Sequence, residues 1–310
     1  MPALFIRGND AVVINNSDGS DFHLTEHGSD WLWAAFSVFA LSTLCSAGLS
    51  YTKPRAERLF YNITSLALLI MSVSYFTTAA NLGWAPVQAE FNHVTVADQA
   101  TEPGFRQVFY VRFIGWFLAF PLVIINYATL FSLDWSNVFF TIATQWMTVL
   151  GLLIGSVIQS TYKWGYFTFA TVGFFLEAVQ LLWFFRRSAI ETDFAKAGCV
   201  VTSLATLLLM LYPIAWALSY GGNVIQPDSE AVFFGVLDIC FFVILGAVFL
   251  YFANGIDFTA HGIATLGRPV LHRSSYVRPG AATVSAPATK EAALDNRHSG
   301  ETAADPHQAV

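Results

Sequence analysis

Seven long apolar stretches dominate this sequence and leave few architectures open to it. About 20 apolar residues are needed for one helix to cross a bilayer. In this chain of 310 residues, 55% are hydrophobic and only 12% are charged, with a mean hydropathy of +0.54. The sequence therefore predicts an all-α membrane protein, a bundle of seven transmembrane helices. The stretches cover 31–51, 60–82, 108–131, 137–159, 163–185, 197–218 and 231–252.

The remaining residues predict three regions and an orientation. We expect an extracellular N-terminal arm over 1–29, a seven-helix domain over 30–255 and a disordered cytosolic tail over 256–310, rich in Ala, Ser, Thr and Pro. The arm and the links on its side of the membrane hold three basic residues, Arg7, Arg106 and Lys163, against eleven on the other side. The positive-inside rule then places the N-terminus outside and the C-terminus in the cytosol.

Composition also excludes several classes of function. The net charge of −6 gives no basis for nucleic-acid binding. The three cysteines have neither disulfide nor metal-ligand spacing, and all seven histidines fall outside the predicted helices, so we expect no metal site. No nucleophile–base set indicates an enzyme. The lipid bilayer is the one partner that the sequence requires. Assembly into a homo-oligomer is left as an alternative.

Three local features carry further expectations. Ser29 and Asp30 are good N-cap residues for the first helix. The run HVTV at 93–96 is the strand-like part of the longest link and predicts a short hairpin there. Glu177 lies toward the inner end of the fifth stretch. We expect it to reach Arg186 or Arg187 at the interface, with a proton-relay role as the alternative.

Two opposite charges inside the predicted helices indicate a buried polar node. Asp238 lies in the seventh stretch and Arg112 in the third, both toward the outer side. Neither is stable when buried and ionised alone, so we expect them to pair directly or through water. Tyr75 and Tyr212 are placed to donate hydrogen bonds to the Asp238 carboxylate. Such a node either serves function or only fixes how the helices are aligned.

These residues, in their order and spacing, resemble the microbial (type 1) rhodopsins over about residues 30–255. The similarity lies in Tyr75 of ITSLALLIMSVSY, Arg112 and Trp116 of YVRFIGWFLAFPLVI, Tyr212-Pro213 and Trp216 of YPIAW, and Asp238 of VLDICFF. The resemblance implies a seven-helix fold that holds retinal as a protonated Schiff base on a lysine of the seventh helix, one turn after the aspartate.

The chain departs from that pattern at the lysine itself. The resemblance places Phe242 there, and the lysines of the chain, Lys53, Lys163, Lys196 and Lys290, lie at helix ends or in the tail. Without an amine no Schiff base forms, so we expect no covalent retinal. Gly115 and Asn126 stand where pumps of the family place a proton acceptor and a proton donor. Neither side chain carries a proton between states.

The remaining pocket residues are mixed, and we interpret them as a vestigial retinal pocket. Phe242 is expected to fill part of the space, because a large void would be costly. Some of these residues match the family pattern, and others stand at positions where the pigments often have a different large side chain. The set is Trp116, Met147, Gly151, Phe167, Phe174, Leu209, Pro213, Trp216 and Phe242.

The lysine-less pattern is similar to that of the fungal opsin-related proteins, including the yeast heat-shock protein 30 group. This resemblance implies a stress-related protein of the plasma membrane, associated either with restraint of the plasma-membrane proton ATPase or with a chaperone-like role in the membrane. Two alternatives stay open: a retinal-independent proton or ion transporter or channel, and a noncovalent sensor of an apolar ligand.

Overall fold

The computed structural model describes residues 9–91, 93–94, 96, 99, 102–192 and 194–254. Within these ranges seven helices are long and apolar enough to cross a membrane, as the sequence predicted. The predicted tail and the first eight residues of the predicted arm lie outside the described residues. The helices are Glu26–Thr52 (α1), Arg55–Ala79 (α2), Tyr110–Leu130 (α3), Trp135–Val157 (α4), Lys163–Glu191 (α5), Ala195–Gly221 (α6) and Pro227–Ala253 (α7).

The seven helices form a closed bundle. Each packs against the next in sequence, and α7 returns to α1 and α2. At this closure the Trp31 indole donates to the carbonyl of Ala231 at 3.2 Å. Gly235 permits the approach, since a Cβ there would lie 2.6 Å from the Trp31 nitrogen. Side chains from all seven helices can therefore meet in the interior of the bundle.

A short hairpin covers the end of the bundle at which α1, α3, α5 and α7 begin, here called the hairpin end. Strand β1 (Ala85–Gln88) pairs antiparallel with β2 (Phe105–Val108), with Ala85 opposite Val108. The predicted hairpin is present, but the predicted strand at 93–96 was wrong. Its described residues form no strand, and the pairing uses the segments that flank the link instead.

The start of α1 differs from the prediction because Ser29 has another role. The Ser29 hydroxyl donates to the carbonyl of Ala79 at 2.7 Å, which ties the first turn of α1 to the end of α2. The helix begins instead after Thr25. The Thr25 backbone N–H and hydroxyl both donate to Asp228 at the start of α7, at 2.9 and 2.5 Å.

The end of the predicted arm packs onto the hairpin end. Phe22 is buried, accepts from the Gln107 backbone N–H at 2.9 Å and extends the hairpin through a parallel bridge to Arg106. Asn81 donates to the Asn15 carbonyl at 2.7 Å, and Asn15 donates in return to that of Ala80. These contacts hold this part of the arm against the bundle.

Three helices contain a π-helical turn, at Gln180–Phe185 in α5, Ala217–Gly221 in α6 and Ile239–Ile244 in α7. A π turn inserts an extra residue and changes which side chains share a face. The turn in α7 follows Asp238 directly and contains Phe241 and Phe242. Both phenylalanines are buried.

Candidate functional site

The Asp238 carboxylate lies inside the bundle and accepts three hydrogen bonds. Tyr75 donates to Oδ2 at 2.6 Å, while Tyr212 and the Trp116 indole donate to Oδ1 at 2.7 and 2.9 Å. The donors come from α2, α3 and α6, and the acceptor is on α7. Because all three donors are uncharged, the carboxylate is satisfied by dipoles rather than by a cation.

Arg112 makes no direct hydrogen bond to Asp238, so of the two predicted pairings, direct or through water, the direct one was wrong. Its guanidinium donates instead to Glu230 at 2.6 Å and to the Tyr220 hydroxyl at 2.9 Å. The cation also lies over the Phe234 ring, 4.6 Å from the centroid. Glu230 lies closer to the start of α7 than Asp238 does. It therefore contacts the first turn of α3, where Arg112 lies.

Glu230 is the centre of a second polar cluster, near the hairpin end. Arg106 of β2 donates to Oε2 at 2.8 Å, and Arg112 and the Tyr220 hydroxyl donate to Oε1. One buried carboxylate therefore holds two buried guanidiniums. Sequence analysis missed Glu230 because it lies one residue before the predicted seventh helix. Its i, i+4, i+8 spacing with Phe234 and Asp238 was the available signal.

Phe242 packs inside an aromatic block that occupies the centre of the bundle. Only 2% of its surface is exposed. Its ring lies 5.0 Å from that of Phe120 and 5.1 Å from that of Phe241. Phe120 also packs edge-on against Tyr212 at 5.8 Å, which joins the block to the Asp238 donors.

The predicted pocket residues do not all face this interior. Met147 is 36% exposed and belongs to the outer surface, so its assignment to the pocket was wrong. Gly151 is a helix contact, since a Cβ there would lie 3.0 Å from both the Ala170 Cβ and the Tyr166 carbonyl. Gly151 therefore lies in the contact between α4 and α5, while Met147 lies on the outer surface.

The other pocket residues remain inside. The Phe167 ring stacks on that of Trp216 at 5.1 Å, and Trp216 donates to Ser156 at 2.7 Å and to the Leu152 carbonyl at 2.9 Å. Pro213 is buried within α6. Phe174 and Leu209 line the small cavity described next.

A cavity of about 20 Å³ remains beside the aromatic block. That volume holds about one water molecule, whereas pockets for small organic ligands measure about 300–1,000 Å³. The cavity is too small for a polyene. Its lining includes Trp116, Phe120, Gln145, Phe174, Glu177, Leu209 and Tyr212.

Glu177 faces this cavity rather than the interface, so the expected contact with Arg186 or Arg187 was wrong. It is 2% exposed. With the Gln145 amide nitrogen turned toward it, that nitrogen lies 2.9 Å from Oε1. Arg186 donates to Ser203 and Arg187 to Glu191. The π turn that follows Glu177 in α5 separates it from both arginines.

The two positions that the resemblance assigns to proton transfer are structural here. Gly115 lies against α2, where a Cβ would come within 2.8 Å of the Ser74 hydroxyl oxygen. Asn126 donates to Thr64 at 2.9 Å and to the Phe60 carbonyl at 3.3 Å. An acid at position 115 would therefore have to push α2 and α3 apart. Among the described residues no group of His, Cys, Asp and Glu side chains is arranged to hold a metal.

Comparisons with known proteins agree with this architecture. A family model described as bacteriorhodopsin-like protein matches residues 27–256. The opsin-like protein carO of Fusarium fujikuroi is 37% identical over 260 residues, which cover 82% of this chain and 84% of that protein. The 30 kDa heat shock protein of Saccharomyces cerevisiae is 36% identical over 317 residues, covering 96% and 93%.

Solved structures show the same fold. A light-driven proton pump of Coccomyxa subellipsoidea superposes with a TM-score of 0.69 at 24% identity, covering 74% of this chain and 98% of that one. A light-driven proton pump of Leptosphaeria maculans gives a TM-score of 0.67 at 25% identity, covering 74% and 97%. These values establish the seven-helix rhodopsin bundle.

Proposed function

The chain belongs to the bacteriorhodopsin-like family, and we propose that it is an opsin-related membrane protein without covalent retinal and without light-driven pumping. One observation carries the proposal: Phe242, at the position that the resemblance assigns to the Schiff-base lysine, is buried among Phe120 and Phe241. The position supplies no amine, and the cavity beside it is too small for the chromophore.

The proposal extends to a role under stress at the plasma membrane. Its support is the similarity to the 30 kDa heat shock protein, which extends over nearly the whole chain. We place the N-terminus outside by the distribution of basic residues. The plasma-membrane proton ATPase is the proposed partner, and the test is its rate of ATP hydrolysis after reconstitution with and without this chain. An unchanged rate would remove it as a partner.

A second candidate, retinal-independent proton transport, rests on the position of the small cavity. It lies between Tyr212 and Trp116, which donate to Asp238, and the buried carboxyl group of Glu177. A water there would lie between Glu177 and the Tyr212 hydroxyl that donates to Asp238. The remaining alternative, a sensor of a sterol or polyene, has no room in this cavity.

We expect liposomes that contain the chain to show no proton movement on illumination with retinal present, and no proton leak above empty liposomes in the dark. The reason is that Gly115 and Asn126 cannot relay protons and the aromatic block closes the centre. A pH-sensitive dye inside the liposomes measures both. Flux that disappears in Asp238→Asn would favour the transporter instead, whereas light-dependent flux would contradict the main proposal.

A further inference from the structure

The N-terminal arm contains the sequence Asn-Asn-Ser at 15–17, which matches the acceptor pattern for an N-linked glycan. Glycans are added on the outer side of the membrane, so the inference rests on the outward N-terminus of the proposed function. The chain has one other match, Asn62-Ile63-Thr64. It lies within the membrane-spanning helix α2, where the bilayer excludes a polar glycan.

The two groups of the acceptor sequence that a glycosyl transferase must reach are both held against the bundle. The Asn15 side-chain nitrogen donates to the Ala80 carbonyl at 2.7 Å. The Ser17 hydroxyl accepts from the Asn81 side chain at 2.8 Å, and Ser17 is only 6% exposed. The end of α2 therefore occupies the reactive amide and the hydroxyl at the same time.

Asn81 is the residue that holds this segment in place. Its side-chain nitrogen donates to the Asn15 carbonyl at 2.7 Å as well as to the Ser17 hydroxyl. Its side-chain oxygen accepts from Gln107 of β2 at 2.6 Å. The backbone of Asn81 has a φ of +56°, a conformation that glycine adopts without strain. Glycine can therefore replace Asn81 and remove its side-chain contacts while the turn is kept.

We propose that Asn15 is an N-glycosylation acceptor that the docked arm protects, so that a glycan is added only while the arm is undocked. In the transfer, the Asn15 side-chain nitrogen bonds to the first sugar carbon of an oligosaccharide carried on a lipid pyrophosphate. The bond between that carbon and the pyrophosphate oxygen breaks, the lipid pyrophosphate leaves with the electron pair, and the nitrogen loses one proton. The transferase must surround both acceptor groups, which their contacts with Ala80 and Asn81 prevent.

The test is expression of the full chain in a eukaryotic host, followed by removal of N-glycans with an endoglycosidase. The change in gel mobility measures the glycosylated fraction, which we expect to be small in the original chain. Asn81→Gly removes two hydrogen bonds to the segment, so the undocked population and the glycosylated fraction should rise about tenfold. Phe22→Ala removes a buried ring of the same arm and should also raise the fraction. Asn15→Gln combined with Asn81→Gly should abolish glycosylation.

Two controls separate the possible causes. An Asn-Gly-Thr sequence added before Met1 should be glycosylated, which places the arm outside. Phe242→Ala loosens the centre of the bundle away from the arm, so its fraction should stay as small as that of the original chain. Full glycosylation of the original chain at Asn15 would overturn the proposal, as would equal fractions in the original chain and both Asn81→Gly and Phe22→Ala. If the added sequence stays unmodified, the proposal fails together with the outward N-terminus.

Discussion

Replacing Glu230 by alanine is expected to destabilise the folded bundle by about 3–5 kcal/mol, the cost typical of breaking a buried ion pair from one side. The substitution leaves the guanidiniums of Arg106 and Arg112 without their shared acceptor. It also removes the acceptor of the Tyr220 hydroxyl. These three groups belong to β2, α3 and α6, so the loss loosens the hairpin end of the whole bundle. Thermal or denaturant unfolding in micelles measures it.

The control is Glu191→Ala. Glu191 also accepts from an arginine, Arg187, at 3.0 Å, but its side chain is 62% exposed. Exposed pairs of this i, i+4 type contribute about 0.3–0.5 kcal/mol. Equal losses in the two variants would mean that Glu230 is not the centre of a buried cluster.

Phe242→Ala is expected to give the second largest loss, about 3 kcal/mol, the lower end of the range for phenylalanine removed from a core. Lipid solvates an exposed ring almost as well as a protein interior does, so the loss comes from packing with Phe120 and Phe241 rather than from transfer out of water. The variant also opens a cavity beside the existing small one. The free energy of unfolding in micelles is the measurement.

Phe169→Ala provides the comparison for this substitution. Phe169 lies on α5 with 62% of its surface exposed and faces outward. We expect its loss to stay within about 0.5 kcal/mol. If Phe242→Ala is equally mild, Phe242 does not fill the centre of the bundle, and the argument from space against retinal fails.

The seven helices could be predicted because each stretch is long and apolar enough to require burial in a bilayer. Which side chains pair across the bundle could not be predicted in this way. Arg112 was the one basic residue well inside a predicted helix and Asp238 the acid predicted at a similar depth, so the two were paired. The structure moves Arg112 to Glu230, which the hydropathy pattern had left in a loop. Apolar length locates a helix but does not say which of its polar side chains lie opposite one another.

The pocket shows the same limit. A sequence motif places Met147 and Gly151 in order along a helix, but the rotation of α4 against α5 decides which way they face. Here Met147 faces outward and Gly151 packs on Ala170. Glu177 was expected at the interface because two arginines follow it. A π turn, which the local sequence did not predict, lies between Glu177 and the two arginines. Glu177 lies beside Gln145 instead.

The most direct test of the central claim is the covalent attachment of retinal. The chain, Phe242→Lys and Phe242→Lys/Phe120→Ala are each incubated with all-trans retinal, and a visible band that resists hydroxylamine is recorded. We predict no band in the original chain, which lacks the amine, and none in Phe242→Lys, which still lacks the space. Any band should be confined to the double variant, because removing the Phe120 ring enlarges the space beside position 242. A hydroxylamine-resistant band in the original chain, or one in Phe242→Lys as strong as in the double variant, would contradict the account.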